Sequence, residues 1–276
     1  MRNESQPAFS QHVVLATISF ALCFAAWGLM SAFATQFRKL FELSATQSAA
    51  LVAAPVLLGS LARIPMGMLT DRLGGRLVFS VLMAVCALPV FFVPWAATFH
   101  QLLAIGFFLG FAGSSFAVGI GYVSRWTPAA KQGGALGVYG LGNIGQSAAV
   151  FLGPVIAASV GWQPVYRGTA VLLVIWSVIF ALLARNAPTA KRPATLKEMG
   201  VVLLREKLAW VLALFYFLTF GGFVAFAIYL PLLLRDQFGL SIADAGFRAA
   251  GFVGLATLLR PLSSARATCR TMMPRW

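Results

Sequence analysis

Acidic residues are scarce in this chain of 276 residues, which has 7 Asp and Glu against 21 Lys and Arg, with only 10% charged residues overall. None lies in the predicted membrane interior, so paired carboxylates for acid–base chemistry are lacking there. There are 2 histidines, His12 and His100, both at predicted helix ends and neither with a partner at ligand spacing. An enzyme is therefore not expected, and no metal or other cofactor is called for. The three cysteines, Cys23, Cys86 and Cys269, form no spaced set, which excludes a disulfide framework and a zinc site and leaves them as packing residues. Met1 to Gln11 lacks a signal region and a small-residue cleavage site, so the first helix is expected to act as an uncleaved insertion signal.

Apolar residues are abundant instead: 60% of the chain is hydrophobic and the mean hydropathy is +0.85. No soluble domain could carry that composition on its surface, so the chain reads as an all-α polytopic membrane protein with the lipid bilayer as its surroundings. A spanning helix needs about 20 apolar residues, and the uncharged runs Val13 to Phe37, Leu77 to Ser124, Gln132 to Tyr166 and Leu208 to Leu234 supply that length or more. Helices are expected near 12–33, 46–68, 77–97, 101–123, 134–158, 165–184, 208–231 and 243–262.

The net charge of +14 does not point to nucleic acid, because the basic residues are scattered among short loops. With a cytoplasmic N-terminus, 14 of them fall inside, including Arg72, Arg76, Arg125, Arg185 and Lys207, and only Arg38, Lys39, Arg167, Arg235 and Arg248 fall outside. The positive-inside rule selects this orientation, in a bacterial inner or plasma membrane.

The longest polar stretch, Arg185 to Lys207, divides the chain into a bundle of six helices over 1–184, a cytoplasmic connector over 185–207, read as a plain solvated linker, and two further helices over 208–262. A basic connector after six helices fits a transporter built of two related halves. From 263 to 276 hydrophobic periodicity is lost, and no counterpart of Asp71 follows Arg260. That tail reads as frameshifted or truncated, with a natural short variant as the alternative, and is expected to pack poorly.

Two lone arginines stand in apolar surroundings: Arg63 in Leu61-Ala62-Arg63-Ile64-Pro65 and Arg260 in Leu258-Leu259-Arg260-Pro261. An intramembrane arginine costs at least about 2.5–3.5 kcal/mol and marks a functional site unless it snorkels to a headgroup. The alike settings suggest equivalent positions in two halves facing one cavity. In the fifth predicted helix, Gly133, Gly134, Gly137, Gly140, Gly142 and Gly145 allow close helix approach. Among them Asn143 needs partners for its amide, either an anion in a cavity or a neighbouring helix. Between the second and third helices, Gly67 to Arg76 forms a turn in which Asp71 can cap a helix or pair with Arg72 and Arg76, while Gly74 and Gly75 permit the bend.

That turn, Gly67-x-x-x-Asp71-Arg72-x-Gly74-x-Arg76, resembles the signature loop of the major facilitator superfamily, whose role implies that Asp71 gates rather than catalyses. The stretch Gly137-x-x-Gly140-x-Gly142-Asn143-x-Gly145, with Arg63, the segment Phe215 to Phe223 and Arg260-Pro261, resembles the nitrate/nitrite porter family within that superfamily. The resemblance implies a major facilitator fold, with a complete six-helix N-terminal bundle and about two helices of the second, and transport of nitrate or nitrite as the ancestral activity, this chain being an incomplete transporter that is not expected to move nitrate unaided. It also implies that Arg63 and Arg260 clamp the anion, that Asn143, Gly142 and the Tyr216 hydroxyl contact it, and that Phe220 walls the cavity. A guanidinium suits a planar anion because its donors form a fixed fork and stay charged. A carrier of another small anion, or a non-transporting membrane fragment, remains the alternative, and proton symport against anion exchange stays open. A monomer is expected.

Overall fold

The computed structural model describes residues 5–188 and 195–259. Among these the chain is helical and contains no strand. Helix α1 (Ser5–Ala32) is followed by the short α2 (Ala34–Leu40). Helices α3 (Ala45–Leu61) and α4 (Arg63–Leu73) run on as one span, broken at Ala62. Then come α5 (Gly75–Phe92), α6 (Phe99–Leu109) joined by a 3-10 turn to α7 (Ser115–Trp126), α8 (Gln132–Gly140) joined likewise to α9 (Ile144–Val160), and α10 (Trp162–Leu183). The second part holds α11 (Leu196–Arg205), α12 (Lys207–Tyr216), a π-helical segment over Phe217–Gly221, α13 (Gly222–Phe238) and α14 (Ile242–Leu258).

Seven stretches are long and apolar enough to cross a membrane, from Gln11–Ala32 to Lys207–Phe226, and they coincide with the first seven expected helices. The eighth, α14, has 17 described residues. The expected seventh helix closes earlier in sequence reasoning than in the structure, where α13 continues to Phe238 and ends on Gly239 in the left-handed region at φ 63°. Arg260, Pro261, Cys269 and the expected aberrant tail over 263–276 lie outside the described residues.

One expectation fails in the connector. It is not plain linker, because Thr195 and Glu198 close a reciprocal cap, each side chain taking the other's backbone N–H at 3.2 and 2.8 Å, and α11 follows. The same device starts α3, where Ser44 and Gln47 cap each other.

The core centres on α1, whose Ala16, Phe20, Cys23 and Phe24 are buried. It packs along α9, with α7 and α10 beside it. The glycines make this approach possible: a Cβ at Gly142 would strike the Phe20 ring, and one at Gly145 would strike the Ala21 backbone. A second close approach joins α3 to the turn after α6, where a Cβ on Gly59 would lie 2.9 Å from the Gly110 carbonyl. In a bilayer such contact rests on packing, since lipid tails offer no hydrophobic drive between helices. Cys23 and Cys86 are buried and free. In the second part α13 and α14 pack on each other, with Phe223 and Val253 between them, and α14 leans on α9, where Phe151 meets Phe247 at 6.2 Å.

Candidate anion-binding site

The break at Ala62 places Arg63 at the first residue of α4, well inside the Ala45–Leu73 span. Its guanidinium carbon lies 5.5 Å from the centre of the Phe116 ring and 5.1 Å from that of Phe220. The two rings are nearly parallel, 20° apart with centres separated by 5.9 Å. Tyr216 adds a third face, stacking on Phe220 at 5.0 Å and on Phe116 at 6.2 Å. Arg63 Nε is buried without a hydrogen-bond partner, and among the described residues no carboxylate pairs with the guanidinium. Aromatic faces attract a cation by roughly 0.5–2 kcal/mol, more when it is desolvated. They do not saturate its N–H donors.

The π-helical segment is what brings the second part to this position. It starts just after Tyr216 and contains Phe220, and the extra residue per turn re-aims both rings toward α7. Such segments often mark functional sites. Phe116, at the start of α7, supplies the ring stacked on Phe220 and was not picked out from sequence. Nothing in its apolar neighbourhood distinguishes it from a core phenylalanine.

Asn143 is fully buried in the 3-10 turn between α8 and α9. Its Nδ2 donates to the Gly140 carbonyl at 2.8 Å, and its Oδ1 is buried without a partner. Gly142 presses on Phe20, which lies 5.6 Å from Phe116 and stacks on Tyr139 at 4.7 Å. The structure therefore brings Arg63, Phe220 and Tyr216 together, and it sets Gly142 against Phe20, with the Asn143 amide bonded to the Gly140 carbonyl. Arg260 lies outside the described residues, so the paired clamp is not visible.

At the end of the bundle holding residues 67–76, the expected pairing of Asp71 with Arg72 or Arg76 is replaced. Asp71 forms an ion pair with Arg125 at the end of α7, 2.8 Å from Oδ1, and the same guanidinium nitrogen donates to the Asp71 carbonyl at 3.1 Å. The reason is geometric: neighbours in a helix do not share a face, so Arg72 turns away and is exposed. Gly74 then bends the chain at φ 85°, and Arg76 reaches α10, donating Nε to the Ala181 carbonyl at 2.7 Å. Its backbone N–H donates to Asn186 Oδ1 at 3.0 Å. A Cβ on Gly74 would strike that Asn186 side chain, whereas Gly67 has open space. Beside this network His12 is buried, bonded through Nδ1 to the Tyr122 hydroxyl at 2.9 Å and stacked on Trp126 at 4.0 Å. Trp126 in turn donates to the Arg185 carbonyl at 3.1 Å. Sequence reasoning saw only a histidine near a helix end.

A cavity of about 580 Å³ lies elsewhere, between α5 and α6. It is apolar and lacks a charged lining residue. The reading of the site therefore rests on the unpaired charge, not on cavity size.

Comparison with known proteins agrees with the helix order. The Major Facilitator Superfamily profile matches residues 15–274. The chain is 41% identical over 253 residues to a protein of Bacillus subtilis named nitrite extrusion protein, a stretch that is 91% of this chain and 64% of that relative. It is 37% identical to a probable nitrate transporter NarT of Staphylococcus epidermidis, again over 91% of this chain and 64% of the relative. It is 39% identical over 262 residues to a probable nitrate/nitrite antiporter NarK1 of Thermus thermophilus, covering 90% of this chain and 59% of the relative. The chain thus spans less than two thirds of the length of these relatives. Among solved structures, an inward-facing, occupied bacterial homolog of the human lysosomal transporter Spinster superposes with a TM-score of 0.68 at 20% identity, covering 91% of this chain and 60% of that one. A D-xylose–proton symporter gives 0.54 at 17% identity, over 88% and 65%. At such identities the likeness speaks for the fold alone.

Proposed function

This chain belongs to the Major Facilitator Superfamily, and on that premise we propose that it serves to carry nitrate or nitrite across a bacterial inner membrane by alternating access, with its N-terminus cytoplasmic. One observation carries the reading: a guanidinium inside a membrane span, lying beside two stacked aromatic rings and without a carboxylate partner among the described residues. A permanent cation in that setting needs an anion. The guanidinium fork can address two oxygens of a planar oxyanion at once, which favours a flat one. The names of the relatives, nitrite extrusion protein and nitrate transporter, point the same way.

Arg63 binds the anion in this reading, Phe116 and Phe220 exclude water from one side of it, and Tyr216 extends the aromatic wall. Asn143 joins by turning its Nδ2 from the Gly140 carbonyl to the anion. Arg260 is the second cation of the clamp. Gly67, Asp71, Arg72, Gly74 and Arg76 form the gating loop. The Asp71–Arg125 pair and the Arg76 contacts tie the ends of α4, α5, α7 and α10, and their rupture would free those ends to part. A substrate shifts such an equilibrium only by its differential affinity for the two states. An anion that relieves the isolated charge of Arg63 supplies that difference.

The test is uptake of isotopically labelled nitrate into vesicles holding the 276-residue chain, with unlabelled nitrite, chloride or acetate as competitors. Nitrite should compete strongly and acetate weakly. Acetate competing as well as nitrite would favour a carrier of organic carboxylates.

A further inference from the structure

The cavity between α5 and α6 opens on the outer face of the bundle, where Leu88, Phe92 and Phe108 are 58%, 50% and 55% exposed. Its volume of about 580 Å³ lies within the roughly 300–1,000 Å³ usual for small-molecule sites. Its walls include Val85 at one end and Trp95 at the other. Ten residues of helix separate them, a length of about 15 Å. That is half of the roughly 30 Å hydrocarbon core, the depth of one leaflet. The Trp95 end carries the marks of a membrane interface: Phe91, Phe92 and Trp95 cluster there, with centres 4.8 to 5.9 Å apart.

At that same end Arg167 of α10 lies over the Trp95 ring at 4.8 Å. It is exposed, and among the described residues it has neither a carboxylate partner nor a hydrogen bond. The one amide in the groove wall, Gln101, uses its Oε1 to accept from the Ala97 N–H at 2.8 Å, capping α6, and its Nε2 can donate to a bound oxygen. An apolar channel one leaflet deep thus has at its end the Trp95 ring, on which an unpaired cation rests.

We propose that this groove is a phospholipid site, holding one acyl chain of a glycerophospholipid along α5 and α6 while Arg167 binds its phosphate. The occupant follows from the charge and the depth together. A neutral apolar molecule would leave Arg167 unsatisfied, and a free phosphate would leave the groove to disordered tails. The guanidinium fork matches phosphate oxygens bidentately, and cation–π contact with Trp95 orients it for the headgroup. Such a lipid would brace α5 against α6 and α10, independent of the transported anion.

The experiment places the full 276-residue chain in vesicles with a trace of phosphatidylglycerol bearing a photoreactive group in mid-chain, and maps the labelled residues by peptide mass spectrometry. Labelling should concentrate on 85–89 and 104–108, and excess phosphatidylglycerol should suppress it where diacylglycerol does not. In Arg167→Gln the competitor concentration needed should rise about tenfold, the value of one charged hydrogen-bonding partner. Ala104→Trp, which fills the groove, should remove the labelling while leaving Arg167 intact. Labelling spread evenly around the bundle, suppression by diacylglycerol as effective as by phosphatidylglycerol, or a groove shielded from the probe by protein would overturn the proposal.

Discussion

At the scale of single residues, the chemistry depends on what surrounds two arginines. Arg63 has aromatic faces and no carboxylate, whereas Arg125 has the Asp71 carboxylate at 2.8 Å. The first is free to take a ligand and the second is committed to holding helix ends. Truncating Phe116 to Ala should weaken anion binding about tenfold, from loss of one cation–π face and entry of water, with little change in folding. Titration of nitrate against the purified variant checks it, and an unchanged affinity would remove Phe116 from the site. For the Asp71–Arg125 pair, partly exposed at both ends, the energy at stake is about 1 kcal/mol or less. A double-mutant cycle of Asp71→Asn and Arg125→Gln should therefore show coupling of that size in thermal stability. Additive effects would mean that the contact does not hold the helix ends.

At the scale of elements, the glycines set helix spacing. Gly145 touches the Ala21 backbone, which cannot give way as a side chain tip could. Gly145→Val should destabilise the chain by about 1–3 kcal/mol through overpacking, read as a fall in the melting temperature in detergent. Gly67→Ala, facing open space, should be nearly silent by the same measure. Sequence made the spans legible because charge is excluded from the hydrocarbon, so uncharged runs mark where they lie, though not where each begins and ends. Arg63 was legible for the same reason, and the α1–α9 contact was foreshadowed by glycine spacing. The partner of Asp71 was not, since Arg125 lies 54 positions away and only tertiary packing joins them. Phe116 and the π-helical segment over Phe217–Gly221 were hidden too. A phenylalanine in an apolar run has no distinguishing neighbour, and a one-residue widening of a helix leaves hydropathy unchanged. The cap that starts α11 could have been found from Thr195 and Glu198, three residues apart, had polarity not been read as linker.

At the scale of the whole molecule, the residues expected on one side of the membrane do gather at one end. Asp71 pairs with Arg125, Arg76 bonds to α10, and His12 stacks on Trp126, which donates to the Arg185 carbonyl, while Arg167 and Trp95 meet at the end where α5 finishes and α10 begins. The account predicts the orientation. A membrane-impermeant thiol reagent added from outside should label cysteines introduced at Ala97 and Gly239, and not at Leu73 or Pro128. Cys23 and Cys86 are buried and should stay silent. The reverse pattern would invert the topology and with it the direction of the gate.

The central claim is that the unpaired charge of Arg63 beside stacked aromatic rings binds a planar anion, and calorimetric titration of nitrate into the chain in lipid nanodiscs tests it most directly. Arg63→Lys keeps the charge and loses the fork, so it should weaken binding by about 10- to 100-fold, the value of a charged hydrogen bond. Arg63→Gln should abolish it. Nitrate binding with unchanged affinity in both variants would contradict the account.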